Sequence, residues 1–353
     1  MYYNLNASLA IYAEGEFGKG QSKTAEGVIR YGVNPVVAVI DSSQSGKTVV
    51  DVTGIPCQAP IVGSVAEAVL LRPDALLLGT AWIEGRMPAS WKPDIILALQ
   101  NGLDVINGLH DFLTDDPDLV RCASQYNCQL VDVRRSPGQL PVATGRARTV
   151  RSSICLTVGT DGSVGKMTTS LELHALSCRR GLSSKFVATG QTGIMIAGEG
   201  ISIDRVIGDF MAGATELLVM NVADKCDYIF VEGQGSLIHP GWSGVSLAIL
   251  HGACPHSMIL CHTAGRTSVG KNKLPFAIPK LSKLIQLHET MAAIVRPANV
   301  IGISLNTRSL SVEEARQAVQ IAQEETGLPA TDPVRFGVDN LLDAVISTQE
   351  ALA

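Results

Sequence analysis

Val158–Ser170 reads VGTDGSVGKMTTS, and these residues decide what the second half of the chain is. They follow an apolar, strand-like run, Ile154–Val158, and open a helical pattern that continues from Lys166 to Arg180. A glycine-rich turn between strand and helix points its backbone N–H groups inward, and the helix N-terminus adds partial positive charge. A lysine at that place reaches outer phosphates and a following hydroxyl holds Mg²⁺. The strict G-x-x-x-x-G-K-[ST] spelling is broken twice here. Thr160 stands where the first glycine belongs, and Met167 stands where the first hydroxyl belongs. Met167 cannot ligate a hard cation, but Thr168 and Thr169 lie one and two residues on. A plain glycine turn with a surface lysine is the bland alternative. Strand, glycines, lysine and hydroxyls coincide, so the loop is expected to bind phosphates through Gly159, Thr160, Gly162, Gly165, Lys166, Thr168 and Thr169.

A second element supports this. Tyr228–Gly235, YIFVEGQG, is an apolar strand that ends in Glu232 and a glycine pair. Nucleotide sites place a metal-binding or water-positioning acid at the carboxyl end of a neighbouring parallel strand. The stretch DSSQSGKT, Asp41–Thr48, also contains Gly-Lys-Thr, but the following VVDVT has the β-branched composition of a strand. Without a helix N-terminus an anion site lacks its dipole, so a polar loop is expected there. Asp41 sits where ribose-binding acids end the second strand of dinucleotide folds, yet the first loop, EGEFGKG at Glu14–Gly20, lacks G-x-G-x-x-G.

Before the glycine loop, strands and helices alternate. Strands are expected at Leu9–Ala13, Pro35–Ile40, Ala75–Leu78, Val105–Asn107 and Gln129–Val133, with helices at Lys23–Tyr31, Val65–Leu71, Asp94–Asn101 and Pro117–Tyr126. That alternation implies a parallel sheet. RRSPGQLPVATGRARTVR, Arg134–Arg151, carries two prolines and two glycines without periodicity. The expected organisation is α/β throughout: a Rossmann-like N-terminal domain at 1–135, a linker at 136–151, and an α/β domain of the P-loop nucleoside triphosphate hydrolase kind at 152–353. Later strands are expected at Phe186–Thr189, Tyr228–Val231, Met258–Cys261 and Val300–Leu305, with helices at Arg205–Ala223 and Val312–Glu325. The last helix has a capping box, Ser311 with Glu314, and stops at Gly327 and Pro329.

Composition agrees with covered parallel sheets. Charged residues make up 17% of the 353, below the usual one quarter, and mean hydropathy is +0.22. Strands buried on both faces are apolar throughout. The net charge of -5 and the absence of a basic run argue against a nucleic-acid partner. No apolar run reaches membrane-spanning length, Met1–Ala7 lacks the features of a secretory signal, and none of the eight cysteines forms a C-x-x-C pair. A soluble cytoplasmic protein without a membrane partner is expected, with homo-oligomerisation left open. HGACPHSMILCH, His251–His262, matches no zinc spacing, so no metal site is assigned and buried or satisfied residues are expected. Beyond it, Arg266, Lys271 and Lys273 lie on a loop that either lines the site as anion-binding cations or is merely solvated.

GTDGSVGKMTTS together with VEGQGSL resembles the dethiobiotin synthetase branch of P-loop proteins. The Lys-Met-Thr-Thr variant is closer to a family long catalogued as a domain of unknown function, which joins a Rossmann-like domain to a P-loop domain. KTAEGVIRYG (Lys23–Gly32), VVAVID (Val36–Asp41), ATGQTGIMIAG (Ala188–Gly198) and VEGQGSLIHPG (Val231–Gly241) fit that family too. Its members include a D-glutamate N-acetyltransferase that uses acetyl-CoA. The resemblance implies acetyl transfer to the amine of D-glutamate or a similar anionic amino acid, with CoA or nucleotide phosphates on the glycine loop. Such a transfer needs a base for the ammonium proton, donors for the thioester oxyanion and cations for carboxylates. Glu232, Asp161 and His239 are the candidate bases, and Arg266 and Lys271 the carboxylate-binding candidates. The alternatives are an ATP- and Mg²⁺-dependent ligase or carboxylase like dethiobiotin synthetase, and a non-catalytic nucleotide-binding protein.

Overall fold

The computed structural model describes residues 3–81 and 85–350. The chain divides into two compact units, Met1–Ser136 with Gln191–Ser202 and Pro137–Gly190 with Ile203–Ala353.

In the first unit, β1 (Leu9–Tyr12), β2 (Val36–Ile40), β3 (Ile61–Val62), β4 (Ala75–Leu78), β5 (Asp104–Asn107) and β6 (Leu130–Asp132) form one sheet in the order β3-β2-β1-β4-β5-β6. Every pairing is parallel. This is the Rossmann strand order. Helices cover the sheet, and Tyr12, Ile40, Leu78, Trp91 and Ile95 pack into one buried cluster on one side of it. Helices at Lys23–Tyr31 and Pro117–Tyr126 begin and end where their sequence patterns place them.

VVDVT is a correction: Val49–Thr53 is a helix, not a strand. Local capping overrides the β-branched composition. The Asp51 carboxylate accepts from the Thr48 backbone N–H at 2.9 Å and from its hydroxyl at 2.6 Å, while Gly54 closes the helix at φ 70°. The short helix therefore meets its own carboxylate at its N-terminus. Asp41 is fully buried at the end of β2, and both its oxygens are used within the protein. Oδ2 accepts from Phe17 N at 2.8 Å, and Oδ1 accepts from the backbone and hydroxyl of Ser43 at 2.8 and 2.6 Å. The helix Gln191–Ala197, which no periodicity announced, also belongs to this unit, where Thr192 hydrogen-bonds Thr24 at 2.8 Å.

In the second unit, β7 (Ser153–Gly159), β8 (Ser184–Val187), β9 (Tyr228–Val231), β10 (Ser257–Thr263), β11 (Asn299–Asn306) and β12 (Ala330–Thr331) run parallel in the order β12-β11-β10-β7-β9-β8. All seven residues of β7 are buried, as a central strand covered on both faces requires. Helices at Lys166–Arg179 and Asp339–Glu350 cover one side, where Leu173, Phe230, Ile259, Leu341 and Leu342 meet. The capping box at Ser311 and Glu314 is formed, and Gly327 ends that helix at φ 69°.

The arginine-rich stretch that enters this unit is tied down by one side chain. Glu216 is buried on the helix Gly208–Val222, and its carboxylate accepts from the backbone N–H groups of Thr144 at 3.2 Å and Arg146 at 2.5 Å. Burial pushes that carboxyl up, but these donors outweigh it and hold it below its usual range. On the same helix, a β-carbon at Gly213 would lie 1.8 Å from the Pro141 carbonyl oxygen, so only glycine fits. Among the described residues, no helix is long and apolar enough to cross a membrane.

Candidate active site

β7 delivers the chain to the glycine loop, and the helix Lys166–Arg179 carries it away. The turn needs left-handed backbone at Ser163 and Gly165, with φ of 54° and 107°. A glycine stands at 159, one residue before the strict pattern asks for it, and the Val164 and Lys166 side chains pack closely over it. A β-carbon there would lie 2.9 Å from Val164 Cγ2 and 3.0 Å from Lys166 Nζ. Thr160 fills the position of the missing glycine by turning toward β10. It is fully buried, its N–H donates to Cys261 O at 3.0 Å, and its hydroxyl pairs with His262 Nδ1 at 2.9 Å.

Lys166 is only 6% exposed. Its Nζ donates to Asp161 O at 2.9 Å and to Gly235 O at 2.8 Å. The lysine thus bridges the glycine loop and the segment after β9. That segment also approaches closely at Gly233, where a β-carbon would lie 1.7 Å from Thr157 O and 3.3 Å from Lys166 Cδ. Thr169 is buried, with its hydroxyl bonded to Gly165 O at 2.9 Å and Ser304 Oγ at 2.7 Å. Thr168 is half-buried, and its hydroxyl has no hydrogen-bond partner among the described residues. Among the described residues, no three His, Cys, Asp or Glu side chains converge as a metal site would need.

Glu232 directly follows β9, which pairs with β7. The side chain is buried, and Oε2 accepts from the N–H groups of Thr189 at 3.0 Å and Gly190 at 3.1 Å. Oε1 takes no hydrogen bond among the described residues. Burial pushes this carboxyl up to about 7, against the pull of the two N–H donors and the Lys166 charge, and Asp204 adds to the rise. Thr189, Gly190 and Asp204, which surround Glu232 in the structure, were not among the candidates read from the sequence. The only signal for the first two was the glycine-bearing stretch after β8.

Asp161 stands apart from the other candidate bases. Its carboxylate is buried, and Oδ2 meets Arg266 Nη1 at 3.0 Å and the Lys271 N–H at 3.0 Å, while Oδ1 accepts from Gly162 N at 2.7 Å. Burial raises its affinity for a proton, but the N–H donors of Lys271, Gly270 and Gly162 and the Arg266 charge prevail and hold it low. A carboxylate held low and fully engaged is a brace for the loop and a poor base. Arg266 is drawn into the same brace, with its Nη1 also 2.8 Å from Gly162 O. Lys271 contributes its backbone N–H, and its side chain is exposed, as is that of Lys273.

His239 is buried, stacked on Trp242 with centroids 3.9 Å apart and planes at 13°. Its Nδ1 accepts from Gly241 N at 3.1 Å, which leaves the proton of the neutral ring on Nε2. Burial lowers its basicity, partly offset by the Asp161 charge. Trp242 lies over the glycine loop, since a β-carbon on Gly162 would meet its Cζ3 at 2.8 Å. The histidines of the stretch His251–His262 are engaged within the fold. His251 Nε2 lies 3.0 Å from Met291 O, and His256 Nδ1 accepts from Ile154 N at 3.0 Å. His262 is held near 4 by burial and by Arg266, so it is neutral where it supports Thr160.

Residues 42–136 match the model described as a domain of unknown function, DUF1611_N, a Rossmann-like domain. Residues 141–342 match the companion DUF1611_C, a P-loop domain. The chain is 39% identical over 280 residues to a D-glutamate N-acetyltransferase of Pseudoalteromonas sp, covering 79% of this chain and 83% of that one. It is 42% identical over 272 residues to a protein of the same name from Tritonibacter scottomollicae, covering 76% and 80%. A crystal structure of a DUF1611 family protein from Anabaena variabilis superposes with a TM-score of 0.93 at 43% identity, covering 97% of this chain and all of that one.

Proposed function

This chain belongs to the DUF1611 family and is an acyltransferase, and we propose that it moves acetyl from acetyl-CoA to the amine of D-glutamate, with the glycine loop holding the CoA phosphates. The observation that supports the phosphate assignment is Lys166: a buried cation at the N-terminus of a helix, set among backbone carbonyls at the mouth of a glycine turn. Acetyl transfer to an amine has no phosphoryl group in flight, so the hydroxyl that Met167 replaces is dispensable to it. The transfer forms a C–N bond and breaks the C–S bond of the thioester. The amine loses a proton, and the CoA thiolate leaves.

Of the candidate bases, Asp161 is committed to Arg266 and to backbone N–H groups, and His239 spends its Nδ1 lone pair on the Gly241 N–H while Nε2 carries the proton, which leaves Glu232 as the candidate with an unengaged oxygen. Trp242 packs against Gly162 and stacks on His239, which sets an aromatic side chain beside the loop. The test is calorimetry with acetyl-CoA and with Mg-ATP, followed by a turnover assay with D-glutamate. Binding of Mg-ATP with no response to acetyl-CoA sinks the proposal. The unengaged hydroxyl of Thr168 is the feature that favours the rival ATP-dependent reading, because a loop shifted by one residue would offer it to Mg²⁺.

A further inference from the structure

Glu232 belongs to the phosphate cradle itself. The segment that starts with it wraps Lys166, giving Gly235 O to the ammonium and packing Gly233 against the lysine stem. In acetyl-CoA the long pantetheine arm separates the diphosphate from the thioester. A diphosphate seated on Lys166 therefore leaves the reacting carbonyl, and the attacking amine, remote from Glu232. A buried carboxylate beside two phosphates also faces like charge at close range, which disfavours its ionised form.

The hydrogen bonds point the same way. Oε2 is saturated by the N–H groups of Thr189 and Gly190, so it is the accepting, carbonyl-like oxygen of the group. A proton then sits on Oε1, and a buried O–H needs an acceptor. Among the described residues none is supplied. The charged groups that face Glu232 are Lys166, from the helix after the loop, and Asp204, from the turn Ile203–Arg205. They oppose one another, and burial favours the neutral form, so an anion that fills the cradle tips the carboxyl further toward protonation.

We propose that Glu232 is the proton partner of the phosphate site: it binds the CoA diphosphate as the neutral acid, donating from Oε1 to a phosphate oxygen, and takes one proton from solvent as the ligand arrives. The proposal rests on the phosphate reading of the glycine loop. It makes Glu232 a binding residue for the donor and removes it from the list of amine bases.

The experiment is calorimetry of acetyl-CoA binding in buffers of different ionisation enthalpy, at pH 6 and pH 8. Acetyl-(3′-dephospho)-CoA is run beside it, because the diphosphate alone does not titrate in this range. Wild-type protein is expected to take up close to one proton at pH 8 and little at pH 6, with affinity falling about tenfold per pH unit above the titration of the free carboxyl. Glu232→Gln keeps the acceptor and presents a permanent N–H donor. It is expected to bind with pH-independent affinity and no proton uptake. Tight binding by wild-type protein without uptake overturns the proposal. So does a Gln variant that binds normally but has lost turnover at every pH, which makes Glu232 the amine base. Absence of binding by both ligands defeats the phosphate reading instead. The uptake measurement uses wild-type protein, so it stands even if the variant fails to fold.

Discussion

Arg266 Nη1 lies 3.0 Å from Asp161 Oδ2 and 2.8 Å from Gly162 O, so a single guanidinium nitrogen fastens two consecutive residues of the glycine loop. The Asp161 carboxylate in turn collects the Lys271 N–H, which ties the loop after β10 to the loop after β7. The shape of the glycine loop therefore depends on a brace that reaches it from the segment after β10.

Removing the brace should show in affinity before it shows in chemistry. Arg266→Ala is expected to raise KM for acetyl-CoA about tenfold and to cost about 1–3 kcal/mol of stability, the usual loss when a buried acceptor forfeits a charged donor. Arg266→Lys should recover part of the loss, because both contacts come from one nitrogen and an ammonium can donate to two acceptors, with only the shorter reach of the side chain against it. The sign with pH follows from Asp161. Its carboxyl is held below 3.8, so the brace stabilises fully above that value and fades as the pH falls below it. Melting curves of wild type and Asp161→Asn should converge in acid; curves that stay equally far apart at every pH contradict this.

Lys166→Ala should weaken acetyl-CoA binding by about 1.5–3 kcal/mol, the range for hydrogen bonds to a charged group. A melting shift accompanies it, because the ammonium also serves Asp161 O and Gly235 O. An unchanged dissociation constant for every phosphate-bearing ligand removes the phosphate reading of the loop.

Turnover of acetyl-CoA with D-glutamate should persist in chelator, and Thr168→Ala should leave it largely intact. Activity that vanishes with chelator and also collapses in Thr168→Ala means that the metal-ligating hydroxyl has moved one residue along the helix. The ATP-dependent rival then regains the lead.

Glu232 has the opposite sign to Asp161. Its carboxyl is raised from 4.5 to about 7, so its contribution to stability is complete below 4.5 and is lost as the pH rises through 7. The melting temperature of wild type relative to Glu232→Gln should fall between pH 6 and pH 8. A constant difference across that interval is incompatible with the carboxyl titrating there.

Both parallel sheets could be read from the chain because their strands are short apolar runs punctuated by turns, and Ala75–Leu78 and Tyr228–Val231 fall on the expected residues. VVDVT misled because composition spoke for a strand, while a carboxylate three residues past Thr48 and a left-handed Gly54 decided for a helix. The helix Ser243–Ala253 escaped notice for a different reason: it is apolar on most faces and shows little amphipathic period. Within the site, Lys166 and Glu232 were legible because each ends or begins an element. The donors that hold Glu232 lie about forty residues away in sequence, and such pairings leave no local trace. Arg266 was visible as a cation on a loop, but its engagement with Asp161 needed the fold.

Glu216 offers a consequence in another kind of measurement. The stretch it holds has only a short 3-10 turn at Arg146–Thr149, and irregular backbone of that sort normally exchanges its amide hydrogens quickly. The amides of Thr144 and Arg146 end on a buried carboxylate whose helix is part of the second unit's core, so they open only when that helix does. In hydrogen–deuterium exchange they should be slow amides in a segment with no strand pairing, and Glu216→Gln should speed both while leaving Arg151, which donates to Asp224 instead, unchanged.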